Sequence, residues 1–313
     1  MPAYVHLAHR RNAKAAARNQ QIKKPRNLEA LKQAREDFGF FCDYVADKPP
    51  AAHHKEWHKH FVTNEDSSCL LKIAGPNIDL LAPRGSAKST ILGLFTAWAI
   101  GIHTQAKKPL QILYLSYTVD IARSKSATIK RIIESKRYQE VFPSVRLLKN
   151  VTSNEYWSID HKFAGIDVTG EEQFTLCAAG LKGSVTSKRS QLIIIDDAIK
   201  SAADIANPDI RKMMQENWNA VIAPTMFEGG RAICLGTRFR HDDIHATTFN
   251  EQNNWTQIVL SALLNDPKTG EEISYWPEMW SVDYLREKRR QAPIAFSFQY
   301  ICLLYTSPSP RDA

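Results

Sequence analysis

Two pairs of residues in this chain have types and spacing that could do chemistry. Lys88-Ser89 lie in LLAPRGSAKSTI (residues 80–91), and Asp196-Asp197 close the apolar run in QLIIIDDAIK (191–200). A lysine followed by a hydroxyl, at the point where a short apolar strand opens into a helix, suits a polyphosphate. Free N–H groups and the positive dipole end attract phosphate oxygens, Lys88 would reach the β- and γ-phosphates, and the Ser89 hydroxyl would ligate Mg²⁺. The candidate nucleotide-binding stretch is therefore Pro83, Arg84, Gly85, Ser86, Ala87, Lys88, Ser89 and Thr90. Ala82 and Ala87 stand where such a loop normally carries glycine, which is favoured because backbone must approach phosphate closely. Gly85 supplies part of that freedom, and the alternative is a plain strand–turn–helix with a solvated lysine.

In a nucleoside triphosphatase the two strand-end acids have distinct jobs. Asp196 would hold the Mg²⁺ shell, and Asp197 would orient or deprotonate the attacking water. The second acid of such a pair is more often glutamate, so Asp197 reaches one methylene less far. An acidic helix cap at a sheet edge is the other reading. Loop and acidic strand in this order favour ATP and Mg²⁺ as cofactors.

The intervening sequence alternates strand and helix. IDLLAP (78–83), LQILYLSYT (110–118), FTLCAA (174–179), QLIIIDD (191–197), RAICLGT (231–237) and TQIVLSALL (256–264) read as strands. KSTILGLFTAWAIGI (88–102), VDIARSKSATIKRIIES (119–135) and PDIRKMMQENWNAVIAP (208–224) read as helices, as do segments around 36–46 and 53–61. Apolar strands separated by helices mean an α/β fold whose mostly parallel sheet is flanked by helices.

The 313 residues, 43% hydrophobic and 24% charged, suffice for one large α/β domain or two modest ones. The longest apolar stretch, Ile91 to Ile102, falls short of the ~20 residues of a bilayer span, so no membrane passage is expected. Cys42, Cys69, Cys177, Cys234 and Cys302 lack the close pairs of zinc or disulfide frameworks, which fits a reducing cytoplasm. The net charge of +8 is concentrated in residues 1–35, where nine Lys and Arg face only Glu29. A basic arm over residues 1–36 is expected to be flexible and to meet a polyanion, with a merely solvated tail or a transit peptide as alternatives. His53, His54, His58 and His60 lack acidic or cysteine partners at ligand spacing and read as surface or adenine-pocket residues.

The terminal CLLYTSPSPRDA breaks with everything before it. It reads codon for codon as a frame of a transposon-end sequencing adapter, so 302–313 are expected to be non-native and the natural sequence to stop near Ile301.

Through APRGSAKST, LYLSYTVDIARSKSATIKRIIES, GLKGSVTSKRSQLIIIDDAIK, LGTRFRHDDI and YWPEMWSVDYLREKRRQAPIAFSFQY, residues 37 to 301 resemble the large terminase subunit of tailed double-stranded DNA phages, in its N-terminal packaging ATPase. The resemblance implies a RecA-like (ASCE) P-loop NTPase over 37–290, with 291–301 beginning a linker toward a missing RNase H-like nuclease. It implies Arg84 near the γ-phosphate and Gly236-Thr237 as the segment coupling hydrolysis to DNA movement. Arg123 becomes a candidate for action on a neighbouring subunit's nucleotide, and Lys182, Lys188 and Arg189 for contact with DNA phosphates. Plain readings stay open for these: a strand-end turn, a solvated helix arginine and a basic surface loop. The implied partners are double-stranded DNA, the portal protein, the small terminase subunit and further copies in a ring on the procapsid, in the cytoplasm of the infected bacterium. Such a fragment is expected to hydrolyse ATP weakly and cut nothing. A helicase-like DNA-dependent ATPase and a non-catalytic DNA-binding or scaffold protein are the rival readings.

Overall fold

The computed structural model describes residues 27–63, 70–169, 174–183, 185, 188–249 and 254–301. Most of the basic arm and the adapter-like tail lie outside these residues. Three helices come first: α1 (Leu28–Glu36), α2 (Phe38–Ala46) and α3 (Ala52–Phe61). The side chains of Asn27 and Asp37 cap the first two by accepting from Ala30 N and Phe40 N. There follow β1 (Asn77–Leu81), α4 (Lys88–Gln105), β2 (Ile112–Ser116), α5 (Val119–Glu134) and α6 (Lys136–Val141). Next come β3 (Leu147–Thr152), β4 (Tyr156–Ile159), α7 (His161–Ala164), β5 (Leu176–Gly180) and β6 (Ser190–Asp196). The chain continues through α8 (Pro208–Asn217), β7 (Met226–Gly236), α9 (Ile244–Thr247), β8 (Trp255–Val259), β9 (Leu263–Asn265), β10 (Glu272–Ser274), α10 (Val282–Gln291) and α11 (Pro293–Phe296).

Eight strands form one sheet in the order β3-β4-β5-β2-β6-β7-β1-β8. All pairings from β5 to β8 are parallel, and only β3–β4 and β4–β5 are antiparallel. The strand carrying the acids is not beside the strand feeding the loop, because β7 lies between them. The expected α/β fold, a mostly parallel sheet flanked by helices, is the observed one. The loop after β1, the acids of β6 and Gly236 of β7 all fall at the carboxyl edge of the parallel strands, where open α/β sheets bind ligands.

Alternate residues of the buried strands supply the two cores, as the pleat requires. Ile112, Tyr114, Leu192, Ile194, Ile233 and Leu235 pack on the side covered by α1 to α6. Leu113, Leu115, Ile193, Ile195 and Cys234 pack on the other side, with Met214, Trp218 and Phe249. Helix α4 is buried nearly all round, which explains its apolar sequence without a membrane. Among the described residues, no helix is long and apolar enough to cross one.

Four boundaries differ from expectation, and the simplest is TQIVLSALL (256–264), expected as one strand, which divides between β8 and β9 in separate sheets. Residues 28–36, assigned to a flexible arm, form α1, which buries Leu31 and Ala34 and accepts at Ala34 O from Trp98 Nε1 at 3.1 Å. The apolar face of one short helix outweighed the basic count around it. Residues 291–301, expected to begin a linker, pack back on the body: Ala262 N donates to Tyr300 O, and Arg84 N to Gln299 O. The helix expected over 208–224 stops at Asn217 and passes through a π turn (Trp218–Ile222), because Trp218 and Ile222 both turn into the core and Pro224 follows.

Arg231 ties the helical layer to the sheet. Its side chain is buried and donates to the carbonyls of Pro76, Phe61, Ile73, Ala74 and His60. Burial pulls its pKa down to about 10, which still leaves it charged at neutral pH. Arg231→Met is expected to cost about 3 kcal/mol or more by stranding these acceptors, read as a lower urea midpoint. An unchanged midpoint would contradict this account.

Candidate functional site

Helix α4 begins without a side-chain cap, so its first backbone N–H groups are free to bind an anion. Its N-cap, Ala87, adopts φ 61°, the left-handed conformation that glycine normally takes. Gly85 is also left-handed (φ 82°), and a Cβ there would lie 2.7 Å from the Trp280 ring. Ser86 Oγ is buried within the loop and has no hydrogen-bond partner among the described residues. An uncapped 18-residue helix, an orphaned buried hydroxyl and a lysine together fit a polyphosphate.

Lys88 is buried, and its ammonium donates to Ala82 O (2.9 Å), Pro83 O (3.1 Å) and Thr237 Oγ1 (3.2 Å). Ser89 Oγ donates to Asp196 Oδ1 at 2.8 Å, joining the two motifs across 107 residues of sequence. The other carboxylate oxygen of Asp196 accepts from Tyr114 OH at 3.2 Å and pairs with Lys125 Nζ at 3.5 Å. A hydroxyl beside a fixed carboxylate is an oxygen donor set suited to Mg²⁺. Asp197 takes φ 52° and donates its N–H to Leu235 O at 2.8 Å. Burial raises its pKa, further raised by Asp196 and opposed by Lys88, Lys125 and His245, so the carboxylate is more basic than an exposed aspartate. Neither acid caps a helix, since the next helical turn starts at Ala203. A cavity of ≈ 330 Å³ is lined by Arg84 to Thr90 together with Ser116, Lys125, Asp196, Asp197, Lys200 and Thr237.

Gly236 and Thr237 lie between loop and acids. A Cβ on Gly236 would meet the His245 ring at 2.7 Å. Beneath it, His245 Nδ1 and Asp79 Oδ1 are 2.8 Å apart, and Gln257 donates to Asp79 Oδ2 at 2.9 Å. Burial alone would lower the His245 pKa, but the Asp79 carboxylate more than offsets it and the net shift is upward. Cys234 joins these two within ligand distance of a cation, in a position sealed inside the core.

The remaining expected residues lie outside this cavity or on its rim. The exposed Arg84 guanidinium donates to Lys200 O at 3.3 Å. Arg123 pairs with Asp120 and Glu155 on the half-exposed face of α5. Lys182 donates to Tyr117 OH, Lys188 lies over the Tyr156 ring, and Arg189 over Phe227. Residues 184, 186 and 187 of that basic segment fall outside the described residues.

The histidines correct an expectation. His53 and His54 are buried against the loop at Ser86 rather than on the surface. Ala51 N donates to His54 Nδ1, which leaves Nε2 to carry the proton and donate to Ser86 O at 2.8 Å. Burial holds both rings neutral, with the His53 pKa down to about 4. Trp280 Nε1 donates to Gly85 O on the other side of the loop. Asp79 offered one overlooked signal, a charge inside the apolar strand NIDLL, which demands a buried partner.

No protein-family model and no curated protein matches this chain. Solved structures do. A mutant large terminase ATPase domain of Thermus phage P74-26 is 14% identical with a TM-score of 0.47, covering 84% of this chain and 96% of that one. The large terminase of bacteriophage HK97 is 14% identical (TM-score 0.44; 73% of this chain, 47% of that one). That of a thermophilic bacteriophage in complex with ATP-gamma-S is 10% identical (TM-score 0.46; 73% and 47%). This chain spans about half the length of the last two.

Ala87→Gly is expected to stabilise the protein by up to about 1 kcal/mol, since glycine takes the left-handed N-cap without the Cβ penalty, whereas Ala87→Val should destabilise it. Equal melting temperatures for all three would contradict the assigned loop geometry. The histidine brace adds a pH dependence. Between about 4 and the ordinary histidine value of 6.5, the unfolded chain binds protons that His53 refuses when folded, so stability rises with pH through that window. His53→Phe is expected to flatten that slope in urea titrations at pH 4.5 and 6.5.

Proposed function

We propose that this chain is an ATP-hydrolysing motor subunit of a tailed-phage terminase, driving double-stranded DNA into a procapsid. The observation that carries the catalytic reading is the Ser89–Asp196 hydrogen bond beside an uncapped helix N-terminus. The backbone N–H groups of α4 would hold phosphate oxygens, and Lys88 would turn from the Ala82 and Pro83 carbonyls to the β- and γ-phosphates. Mg²⁺ held by Ser89 and Asp196 would neutralise charge on the transferred phosphoryl group. Asp197, raised in basicity by burial, orients the attacking water and accepts its proton. Arg84, anchored on Lys200 O at the rim, has the reach to stabilise charge on the terminal phosphate.

The motor reading adds coupling. Thr237 shares its hydroxyl with Lys88, so a lysine that changes partner during the cycle pulls on the end of β7. DNA, portal protein, small terminase subunit and neighbouring copies in a ring are the partners in this reading, at the procapsid in the cytoplasm of the infected host. Lys182, Lys188 and Arg189 are its DNA-facing cations, and Arg123 its candidate for a neighbouring subunit's nucleotide.

Phosphate release from ATP tests the catalytic part. Lys88→Ala is expected to abolish it with loss of nucleotide binding. Asp197→Asn should retain binding of a fluorescent ATP analogue while lowering kcat by about 10²- to 10⁴-fold. Release that is absent in the wild type, or unchanged in both variants, would leave a DNA-binding or scaffold role. Hydrolysis coupled to strand separation would favour the helicase-like alternative.

A further inference from the structure

Lys125 projects from α5 into the loop cavity one helical turn after Ile121, which lines the same wall. Its ammonium, one-third exposed, lies 3.5 Å from Asp196 Oδ2, whose own side chain is fully buried. That carboxylate also accepts hydrogen bonds from the hydroxyls of Ser89 and Tyr114. Among the described residues, Lys125 is thus the cation paired with Asp196, on the oxygen away from Ser89.

A divalent cation bound between Ser89 and Asp196 would face this ammonium across a few ångströms of poorly screened space, where like charges repel strongly. The ammonium cannot stay there once the metal binds. A flexible four-carbon stem with three rotatable donors lets it swing. The cavity is lined by Lys88 on one side and the acids on the other, and the end of a polyphosphate held there would be an anion able to receive it.

Resting on the nucleotide-hydrolysis reading above, the geometry points to Lys125 as a displaceable counter-ion. It pairs with Asp196 and keeps that carboxylate aligned, is expelled by the divalent cation, and re-seats on the terminal phosphate of the nucleotide. Metal alone must drive the ammonium off a carboxylate with nothing to receive it. Metal arriving with a nucleoside triphosphate supplies the receiver. A nucleoside diphosphate lacks the oxygens that Lys125 would reach, so the residue discriminates the triphosphate from the diphosphate.

The test uses binding rather than turnover, on the full chain. Mn²⁺ binding to nucleotide-free protein is followed by electron paramagnetic resonance, with Asp196→Asn as the control that locates the ion. Fluorescent ATP and ADP analogues report nucleotide affinity. Lys125→Met is expected to tighten Mn²⁺ binding by about 5- to 10-fold, because the competing charge is gone. The same variant should weaken the ATP analogue by about tenfold with little change for the ADP analogue, and Lys125→Arg should restore much of the difference. Unchanged or weaker Mn²⁺ binding in a Lys125→Met protein with a wild-type melting curve would overturn the proposal, as would equal weakening of both nucleotides. Lys88→Ala in the same assays separates the two readings. Its loss of both nucleotides upholds the loop as their site whatever Lys125 does, whereas a wild type that binds neither sinks both.

Discussion

The site depends on a bridge over a strand. Because β7 separates β1 from β6, the loop and the acids are not neighbours along any hydrogen-bonded ladder. They meet over the end of β7, where Ser89 donates to Asp196 and Lys88 donates to Thr237. The strand crossed by that bridge ends in Gly236, whose missing side chain leaves room for His245. Asp79 on β1 and Gln257 on β8 then fix that histidine from the other side. A displacement of the end of β7 therefore acts on the lysine above it and on the buried histidine beneath it.

The loop solves a second problem, that of staying in place with few glycines. A glycine-rich loop can adopt left-handed backbone freely but also loses more entropy on ordering. Here Ala87 accepts the strained conformation, and contacts from outside hold the loop: His54 on the Ser86 carbonyl, Trp280 on the Gly85 carbonyl, and Gln299 on the Arg84 amide. Strain of this kind persists only where the surroundings over-determine it. The residues after β10 thereby belong to the support of this loop rather than to a separate linker. Placing a linker at 291–301 overlooked that the chain returns to Arg84.

How much of this was legible follows from what each signal encodes. Unbroken apolar runs such as LIIID mark strands buried on both faces, so the central parallel strands and the acid pair at their edge could be read directly. The lysine and serine of the loop were readable because their context, strand then helix, is local. The short antiparallel strands β3 and β4 were not, since LLKNVT and YWSI show neither a long apolar run nor clean alternation. The order of strands, the seat of His53 and His54 beneath Ser86, and the pairing of His245 with Asp79 are long-range facts with no local trace. A lone buried charge announces that a partner exists without saying which.

The charge of the cavity decides what it can accept. Arg84, Lys88, Lys125 and Lys200 line it against Asp196 and Asp197, so cations outnumber carboxylates. A bare divalent cation approaching Asp196 therefore meets a field that opposes it, despite the good oxygen donors there. A bare triphosphate meets the free N–H groups and Lys88 with favour but must lie close to two carboxylates. Each ligand relieves the other's repulsion: the metal screens phosphate from the acids, and phosphate occupies the cations that would repel the metal. In the reading proposed above, the arrangement would favour metal and polyphosphate as a unit over either alone. The raised basicity of Asp197 has a different origin: burial outweighs the lowering effect of Lys88, Lys125 and His245.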